Sequence, residues 1–128
     1  MRKMILLYSY PNEIIRRISE LCLQNNIECK KIPKGRFLQT IGGHIGLIGH
    51  ETVSQRYEGD DLPEPVMVLS GISSSELDRI CDELKNLKIN QGMKAIATQH
   101  NVNWTIIDLY SELAREREEI TKNNVINK

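Results

Sequence analysis

The polar residues that could bind a ligand in this chain stand in two short segments, each between a predicted strand and a predicted helix. Residues 70–75 read Ser-Gly-Ile-Ser-Ser-Ser, and residues 98–104 read Thr-Gln-His-Asn-Val-Asn-Trp. Free N–H groups, hydroxyls and the positive end of a helix favour a phosphate or carboxylate at such a position. The structural alternative is that the serines and asparagines only cap helices while Trp104 packs under the first turn.

The histidines and cysteines do not form a recognisable metal or nucleophile motif. His44, His50 and His100 lack HxxxH spacing, and there is no CxxC pair. Cys22 and Cys81 fall on the apolar sides of predicted helices, where we expect them to be buried, unpaired and unreactive. We therefore predict no catalytic residue, no metal ligand and no cofactor.

Composition excludes several classes of protein. Among 128 residues, 17 are Lys or Arg and 17 are Asp or Glu, so the formal net charge is zero. The chain has no excess of basic residues, so we do not expect it to bind nucleic acid. A net charge of zero does not oppose self-association, so a homodimer is possible. The first apolar run is too short for a signal peptide or a membrane span. The odd number of cysteines argues against a disulfide framework, and we expect a cytoplasmic protein.

Apolar patterning predicts four strands alternating with helices. Residues 4–8 and 66–69 are apolar at almost every position, which is typical of central strands covered on both faces. Residues 27–32 carry lysines and end before a proline, and residues 94–98 are short, so both predict edge strands. Ser73 and Glu76 have capping-box spacing, and Thr40 is the expected N-cap of a short helix within residues 39–49.

This alternation predicts an α/β fold: a small, mostly parallel sheet of about four strands in the order 2-1-3-4, flanked by helices. The alternative is an α+β ferredoxin-like sandwich, which leaves one sheet face less covered. We expect one domain over residues 1–120 and a frayed tail over residues 121–128. No internal repeat is visible in the sequence.

In a parallel sheet the carboxyl ends of the strands gather at one edge, and a ligand binds in the crevice between the first and third strands. The candidate ligand-binding residues at this edge are Tyr8, Ser9, Ser70, Gly71, Ser73, Ser74, Thr98, His100, Asn101, Asn103 and Trp104. We expect residues 70–75 and 98–104 to form one shallow polar pocket. Because neither segment contains Lys or Arg, the affinity for an anion should be weak, about millimolar.

Several stretches of the chain are similar to one bacterial family. They are the Pro-Glu-Pro run with the strand and Ser-Gly that follow it (residues 63–71), residues 76–78 and 94–98, Asn101 with Trp104, residues 108–109 and 112–113, and, near the start, residues 5–8 and 41–49. In these positions the chain resembles the domain-of-unknown-function family numbered 3783 (DUF3783). The resemblance implies a bacterial source, often an anaerobe, and an intracellular protein. It brings no activity, cofactor or catalytic residue.

The sequence therefore favours a small intracellular binding or interaction module, with an unidentified small anion or a protein as its partner. One alternative is a small hydrolase or transferase using the same edge. His100 is the one group in those loops that titrates near neutral pH, so such an enzyme lacks a strong base. The other alternative is a purely structural dimerisation domain.

Overall fold

The computed structural model describes the backbone of residues 1–126 and the side chains of residues 1–122. Four strands alternate with four helices, as the sequence predicts. They are β1 (Met4–Tyr8), α1 (Asn12–Gln24), β2 (Glu28–Ile32), α2 (Ile41–Ile45), β3 (Val66–Ser70), α3 (Ser74–Asn86), β4 (Met93–Ile96) and α4 (Ile106–Ile126). Short 3₁₀ turns at Lys34–Arg36 and Asn101–Asn103 precede α2 and α4.

The strands form one sheet in the order β2-β1-β3-β4, which confirms the predicted order. All five residues of β1 and all five of β3 are buried, whereas β2 and β4 carry exposed lysines. Apolar side chains at every position need cover on both faces, so these two strands take the centre. The charged strands tolerate the edges because their lysines remain in water.

The direction of β3 differs from the prediction. β1 pairs with β2 in parallel and β3 pairs with β4 in parallel, but β1 and β3 are antiparallel, with Met4 opposite Ser70. The sheet is therefore mixed rather than mostly parallel. A continuous apolar run records burial on two faces but carries no information about strand direction. The carboxyl ends of β1 and β2 lie at one edge of the sheet and those of β3 and β4 at the opposite edge.

Both faces of the sheet are covered. On one face, α1 and α3 pack through Ile18, Leu21, Ile80 and Leu84 against Ile5, Leu7, Met67 and Leu69. On the other face, α2 and α4 pack through Ile41, Ile45, Ile106 and Leu109 against Met4, Leu6, Val66 and Val68. This two-sided cover is what the α/β prediction requires and what the ferredoxin-like alternative lacks.

The chain contains a structural repeat that the sequence does not reveal. α1 begins eight residues after the start of β1, at Asn12, and α3 begins eight residues after the start of β3, at Ser74. Leu6 and Val68 occupy equivalent positions, each at the middle of its strand, and they are directly paired where β1 lies beside β3. An approximate two-fold axis therefore passes between them and relates the first half (residues 4–45) to the second half (residues 66–126).

Local backbone geometry repeats in the two halves as well. Ser9 and Gly71, which follow β1 and β3, have φ of 65° and 64°, and Asn26 and Lys88, which follow α1 and α3, have φ of 56° and 59°. Few equivalent positions carry the same residue, because a core position requires only an apolar side chain of suitable size. The repeat is therefore visible in the structure and not in the amino-acid sequence.

The C-terminal prediction remains open. α4 is a 21-residue helix that ends at Ile126. Residues 127–128 of the predicted frayed tail lie outside the described residues, and both the tail and the boundary at residue 120 stay predictions.

Candidate functional site

The turn after β3 uses its polar groups inside the fold. The buried Ser70 hydroxyl donates to the backbone oxygen of Arg2 over 2.6 Å. Gly71 has a φ of +64°, and a Cβ at this position would lie 2.5 Å from the backbone oxygen of Met1. The Ser-Gly pair therefore holds the N-terminal segment against the end of β3, and only glycine fits the second position.

The N-terminus of α3 already holds an anion of its own. The Ser73 hydroxyl accepts from the N–H of Glu76, and the Glu76 carboxylate accepts from the N–H of Ser73, which confirms the capping box. Lys3 donates to the same carboxylate over 2.5 Å. Lys3, with Ser73, lowers the pKa of Glu76 to about 2. A second anion would have to displace Glu76 from the helix end, while Ser74 stays exposed beside it.

The Asn101 side chain hydrogen-bonds the outward-facing backbone groups at the end of the edge strand β4. Its side-chain amide donates to the oxygen of Ile96 over 2.9 Å and accepts from the N–H of Thr98 over 2.8 Å. These two backbone groups point away from β3, because Ala97 between them donates to Leu69 of that strand. The carboxamide therefore occupies the place of a fifth strand's peptide group. Nearby, Asn103 donates to the oxygen of Gln99 over 3.3 Å.

Trp104 and His100 border a groove between β4 and α4. Their rings meet edge to face with centroids 5.0 Å apart, and the Trp104 oxygen accepts from the N–H of Ile41 on α2. The groove has a volume of about 400 Å³ and is lined by Ala95, Ile96, Thr98, His100, Asn101, Trp104, Leu109, Glu112, Leu113 and Glu116. Residues 70–75 and residues 98–104 follow the carboxyl ends of the parallel strands β3 and β4, so they lie at the same end of the sheet. None of residues 70–75 lines the groove.

Tyr8 and Ser9 lie at the opposite edge, because β1 runs antiparallel to β3. This corrects their placement beside the other candidate residues. The Tyr8 hydroxyl is 2.8 Å from Nδ1 of His44, and Nε2 of His44 is 2.9 Å from the oxygen of Arg36. A carbonyl only accepts, so Nε2 donates to it and Nδ1 accepts from Tyr8. Ser9 donates to the Asp61 carboxylate.

The Tyr8–His44 pair is neutral. Burial lowers the pKa of His44 to about 4 and raises the pKa of Tyr8 above its usual range. Neither group gains or loses a proton near neutral pH, and every polar atom of the pair has a partner. The pair thus fixes α2 to β1 and is not a site of acid–base chemistry.

A basic cleft opens next to this pair, where the end of β2 meets α2. It has a volume of about 160 Å³ and is lined by Lys30, Lys31, Ile32, Pro33, Arg36, Gln39, Gly43, His44, His50 and Thr52. The lining contains three cationic residues and no aspartate or glutamate. We call these residues the basic cleft.

The cations of the basic cleft bond to neutral acceptors. Lys30 donates to the backbone oxygen of His44 over 3.1 Å, Lys31 to the Asn12 side-chain oxygen over 2.9 Å, and Arg36 to the backbone oxygen of Val53 over 3.4 Å. Within the described residues, none of the three forms a salt bridge, unlike Arg2 with Glu28 or Arg117 with Glu64. Neutral acceptors orient a cation without cancelling its charge.

One wall of the cleft is built around the buried side chain of Gln39. The Gln39 side chain donates to the oxygen of Glu51 and accepts from the N–H of Val53, both over 2.7 Å. A Cβ on Gly43 would lie 1.9 Å from the Gln39 amide nitrogen, so a larger residue there would displace the Gln39 side chain. The loop after α2 is thereby clamped onto the helix.

The hydroxyl of Thr40 links the helix cap to His50. It accepts from the N–H of Gly43 over 3.0 Å, which confirms Thr40 as the N-cap, and lies 2.7 Å from Nδ1 of His50. The other ring nitrogen, Nε2, has no hydrogen-bond partner within residues 1–122. The contact with Thr40 holds His50 in the wall of the cleft, with its ring packed against Gly42.

The basic cleft is not predicted from the sequence. Lys30 and Lys31 are predicted only as the charges that protect an edge strand, which they also are, and no motif is recognised in the segment that contributes Arg36 and His50. A signal was present in the absence of any acidic residue between Cys29 and Glu51. That stretch contains five basic residues, namely Lys30, Lys31, Lys34, Arg36 and His44, and a sixth, His50, stands at its end.

The three cysteines are free, and Cys22 is buried as predicted, whereas Cys81 is half-buried. Over the residues whose side chains are described, no group of three His, Cys, Asp or Glu residues could hold a metal ion.

The fold and the cleft together define a small α/β protein with a mixed four-stranded sheet. Residues 65–120 match the family model described as Domain of unknown function (DUF3783), which confirms the resemblance over that segment. The match covers β3, α3, β4 and most of α4, so the basic cleft lies outside it. The chain matches no curated protein and no solved structure. In residues 1–126 no helix combines the length and apolar character needed to cross a bilayer.

Proposed function

We propose that this protein is a binding module that holds a small anionic ligand, one carrying a phosphate or carboxylate group, in the basic cleft. The observation that supports this proposal is the presence of three cations and no carboxylate in the lining of the cleft, in a chain whose net charge is zero. A concave site of one charge sign raises the local concentration of oppositely charged ligands. The ligand class is the one proposed from the sequence, but the site is at the other edge of the sheet.

The residues of the cleft offer complementary contacts. The guanidinium of Arg36 presents a planar fork that matches two oxygens of a phosphate or carboxylate, and Lys30 adds a point charge. The imidazole of His50, in the wall of the cleft, adds a third polar contact. Three donors of this kind around one anion would replace part of its hydration shell.

The size of the cleft limits the ligand. Its volume of about 160 Å³ is well below the ~300–1,000 Å³ of sites that enclose drug-sized molecules. The cleft therefore suits a small anion, or the charged end of a larger molecule whose remainder stays in solvent. It lacks the extended basic stripe that nucleic acid requires. We also propose that the protein is cytoplasmic and of bacterial origin.

Titration with inorganic phosphate, followed by backbone amide chemical shifts of the full chain, tests the proposal. We expect the largest shifts at residues 30–36 and 39–50, with a dissociation constant of about 1 mM. The double variant Lys30→Gln/Arg36→Gln should weaken binding about tenfold or more, because two charge-assisted contacts are lost. Lys94→Gln, an exposed lysine on the other edge strand, is the matched control and should bind as the wild type does.

Two outcomes would contradict the proposal. Shifts confined to residues 70–75 and 98–104 would place the anion at the carboxyl ends of β3 and β4, as the sequence predicts. The absence of saturable shifts at tens of millimolar phosphate would leave the basic cleft without a ligand of this class.

A further inference from the structure

A second reactive cluster lies on the far side of β2, away from the basic cleft. Ser19 and Cys22 are three residues apart in α1, so their side chains lie on the same face of the helix. Cys29 is the second residue of β2 and pairs with Ile5 of β1, directly beneath that face. The fold therefore brings two cysteines together that are seven positions apart in the sequence.

The contacts within this cluster favour a reactive Cys29. The Ser19 hydroxyl donates to Sγ of Cys29 over 3.7 Å. Contact with the Cys22 thiol, aided by the Ser19 hydroxyl, lowers the pKa of Cys29 below that of an ordinary thiol despite its partial burial. The pKa of Cys22 is raised by the same contact and by burial, so Cys22 keeps its proton.

Exposure divides the roles of the two thiols. Cys29 is half-buried on an edge strand, where a small oxidant reaches it, whereas Cys22 is only 1% exposed. A thiolate at an accessible position beside a second thiol is the arrangement typical of redox-sensitive cysteines. The burial of Cys22 agrees with the sequence prediction, and its reactivity depends on what happens to Cys29.

We propose that Cys29 and Cys22 form a peroxide-sensitive dithiol, with Cys29 as the attacking sulfur and Cys22 as the resolving sulfur. The Cys29 thiolate attacks hydrogen peroxide, breaks its O–O bond and becomes a sulfenic acid while hydroxide leaves. The Cys22 thiol then attacks the Cys29 sulfur, its proton leaves with the hydroxyl group as water, and an S–S bond forms. Each protein molecule loses two hydrogens, and one peroxide is reduced to two waters.

The movement that this reaction needs is small. Cys22 and Cys29 already pack in one cluster on the α1 face of the sheet, so forming a bond of about 2.05 Å requires only a local shift of the two sulfurs. Rotation of the Cys29 side chain on an edge strand can supply that shift. The connection between the two cysteines is a turn, which leaves the central strands in place.

Mass spectrometry after treatment with hydrogen peroxide tests the proposal on the folded, full-length chain. Trypsin leaves Cys22 and Cys29 in one peptide, residues 18–30, and Cys81 in another, residues 80–85. An internal disulfide therefore lowers the mass of the first peptide by about 2 Da and links it to nothing else. We expect this change in the wild type and in Cys81→Ser, which is the matched control.

Two variants separate the roles of the sulfurs. Cys22→Ser should stop at the sulfenic acid, which dimedone captures on Cys29, and Cys29→Ser should give neither product. The proposal would be overturned by dimedone capture mainly at Cys81, by equal oxidation of Cys22 in Cys29→Ser, or by links between the two tryptic peptides in place of the internal disulfide. A folded chain left unoxidised under conditions that oxidise the urea-unfolded chain would also contradict it.

Discussion

At the scale of single residues, the polar groups of this protein divide into those with complete internal partnerships and those without. Ser70, Ser73 and Asn101 belong to the first group, since each hydroxyl or amide is bonded to backbone or to a nearby side chain. Lys30 and Arg36 belong to the second, since each cation bonds only to a neutral backbone oxygen. A residue type alone does not reveal this difference, because a serine that caps a helix and a serine that binds phosphate look alike in a sequence.

His44 should make the stability of the protein depend on pH. Its pKa is about 4 in the folded protein against an ordinary value of 6.5. Between these two pH values the unfolded chain binds a proton at His44 and the folded chain does not. The free energy of unfolding should therefore fall as pH decreases from about 6.5 to 4, by up to about 3 kcal/mol. Urea unfolding at several pH values measures this slope.

The variant His44→Gln isolates this effect. It should be less stable than the wild type at pH 7, because the bonds to Tyr8 and Arg36 change, but its stability should vary little between pH 6.5 and 4.5. His100→Gln, at an exposed position, is the control and should retain the wild-type slope. Glu76 loses its partners only below its usual pKa, so its contribution falls at lower pH than that of His44. An unchanged slope in His44→Gln would show that another group titrates.

At the scale of the elements, the second edge strand is protected in two ways. Lys94 keeps the middle of β4 in water, and the Asn101 amide occupies the outward backbone groups of Ile96 and Thr98. The first edge strand, β2, relies on charge, with Lys30 and Lys31 at its centre. Unprotected edges pair with other chains, so both devices oppose aggregation.

Replacing Asn101 should expose this edge. Asn101→Leu keeps a similar size but removes the partners of the Ile96 oxygen and the Thr98 N–H, which water then reaches, so the cost in stability should be about 1 kcal/mol. We expect this variant to self-associate more strongly than the wild type in sedimentation velocity over a range of concentrations. Asn103→Leu removes a single amide bond to Gln99 that lies off the edge, and it should sediment as the wild type does. Equal sedimentation of all three proteins would show that the Asn101 amide is not needed to protect the edge.

At the scale of the whole molecule, the sequence predicted the strand order but not the strand direction. The apolar runs of β1 and β3 identify the central strands, and the lysines of β2 and β4 identify the edges, so the order 2-1-3-4 follows. Direction depends on the path of residues 33–65, which contain only a 3₁₀ turn and the five-residue α2. A long irregular connection carries no periodic signal, so the antiparallel pairing could not be derived, and the only sign of the basic cleft is the absence of acidic residues between Cys29 and Glu51.

The candidate site was affected by the same limitation. Residues 70–75 and 98–104 were placed correctly at one edge, because each follows one strand of a parallel pair. Tyr8 and Ser9 were placed at that edge only because β1 was expected to run parallel to β3. The Cys22–Cys29 contact was not predicted, because it joins a helix residue to a strand residue through tertiary packing. No sequence motif indicates such a contact.

The approximate two-fold symmetry makes equivalent positions comparable by experiment. Asn26 and Lys88 follow equivalent helices, are exposed and have φ near 60°. Lysine is strained in this conformation by about 1–2 kcal/mol, whereas asparagine tolerates it better and glycine adopts it freely. Lys88→Gly should therefore raise the free energy of unfolding by about 0.5–1 kcal/mol after the extra entropy of glycine in the unfolded chain is subtracted.

Asn26→Gly, the matched change in the first half, should alter stability by less than about 0.5 kcal/mol, because little strain is present to relieve. Urea unfolding of the two variants side by side measures the difference. Both side chains are exposed, so neither substitution removes core packing, and the comparison reports on backbone conformation. A larger gain at Asn26 than at Lys88 would mean that the two turns differ in energy despite their similar φ angles, and that the symmetry of the fold does not extend to its energetics.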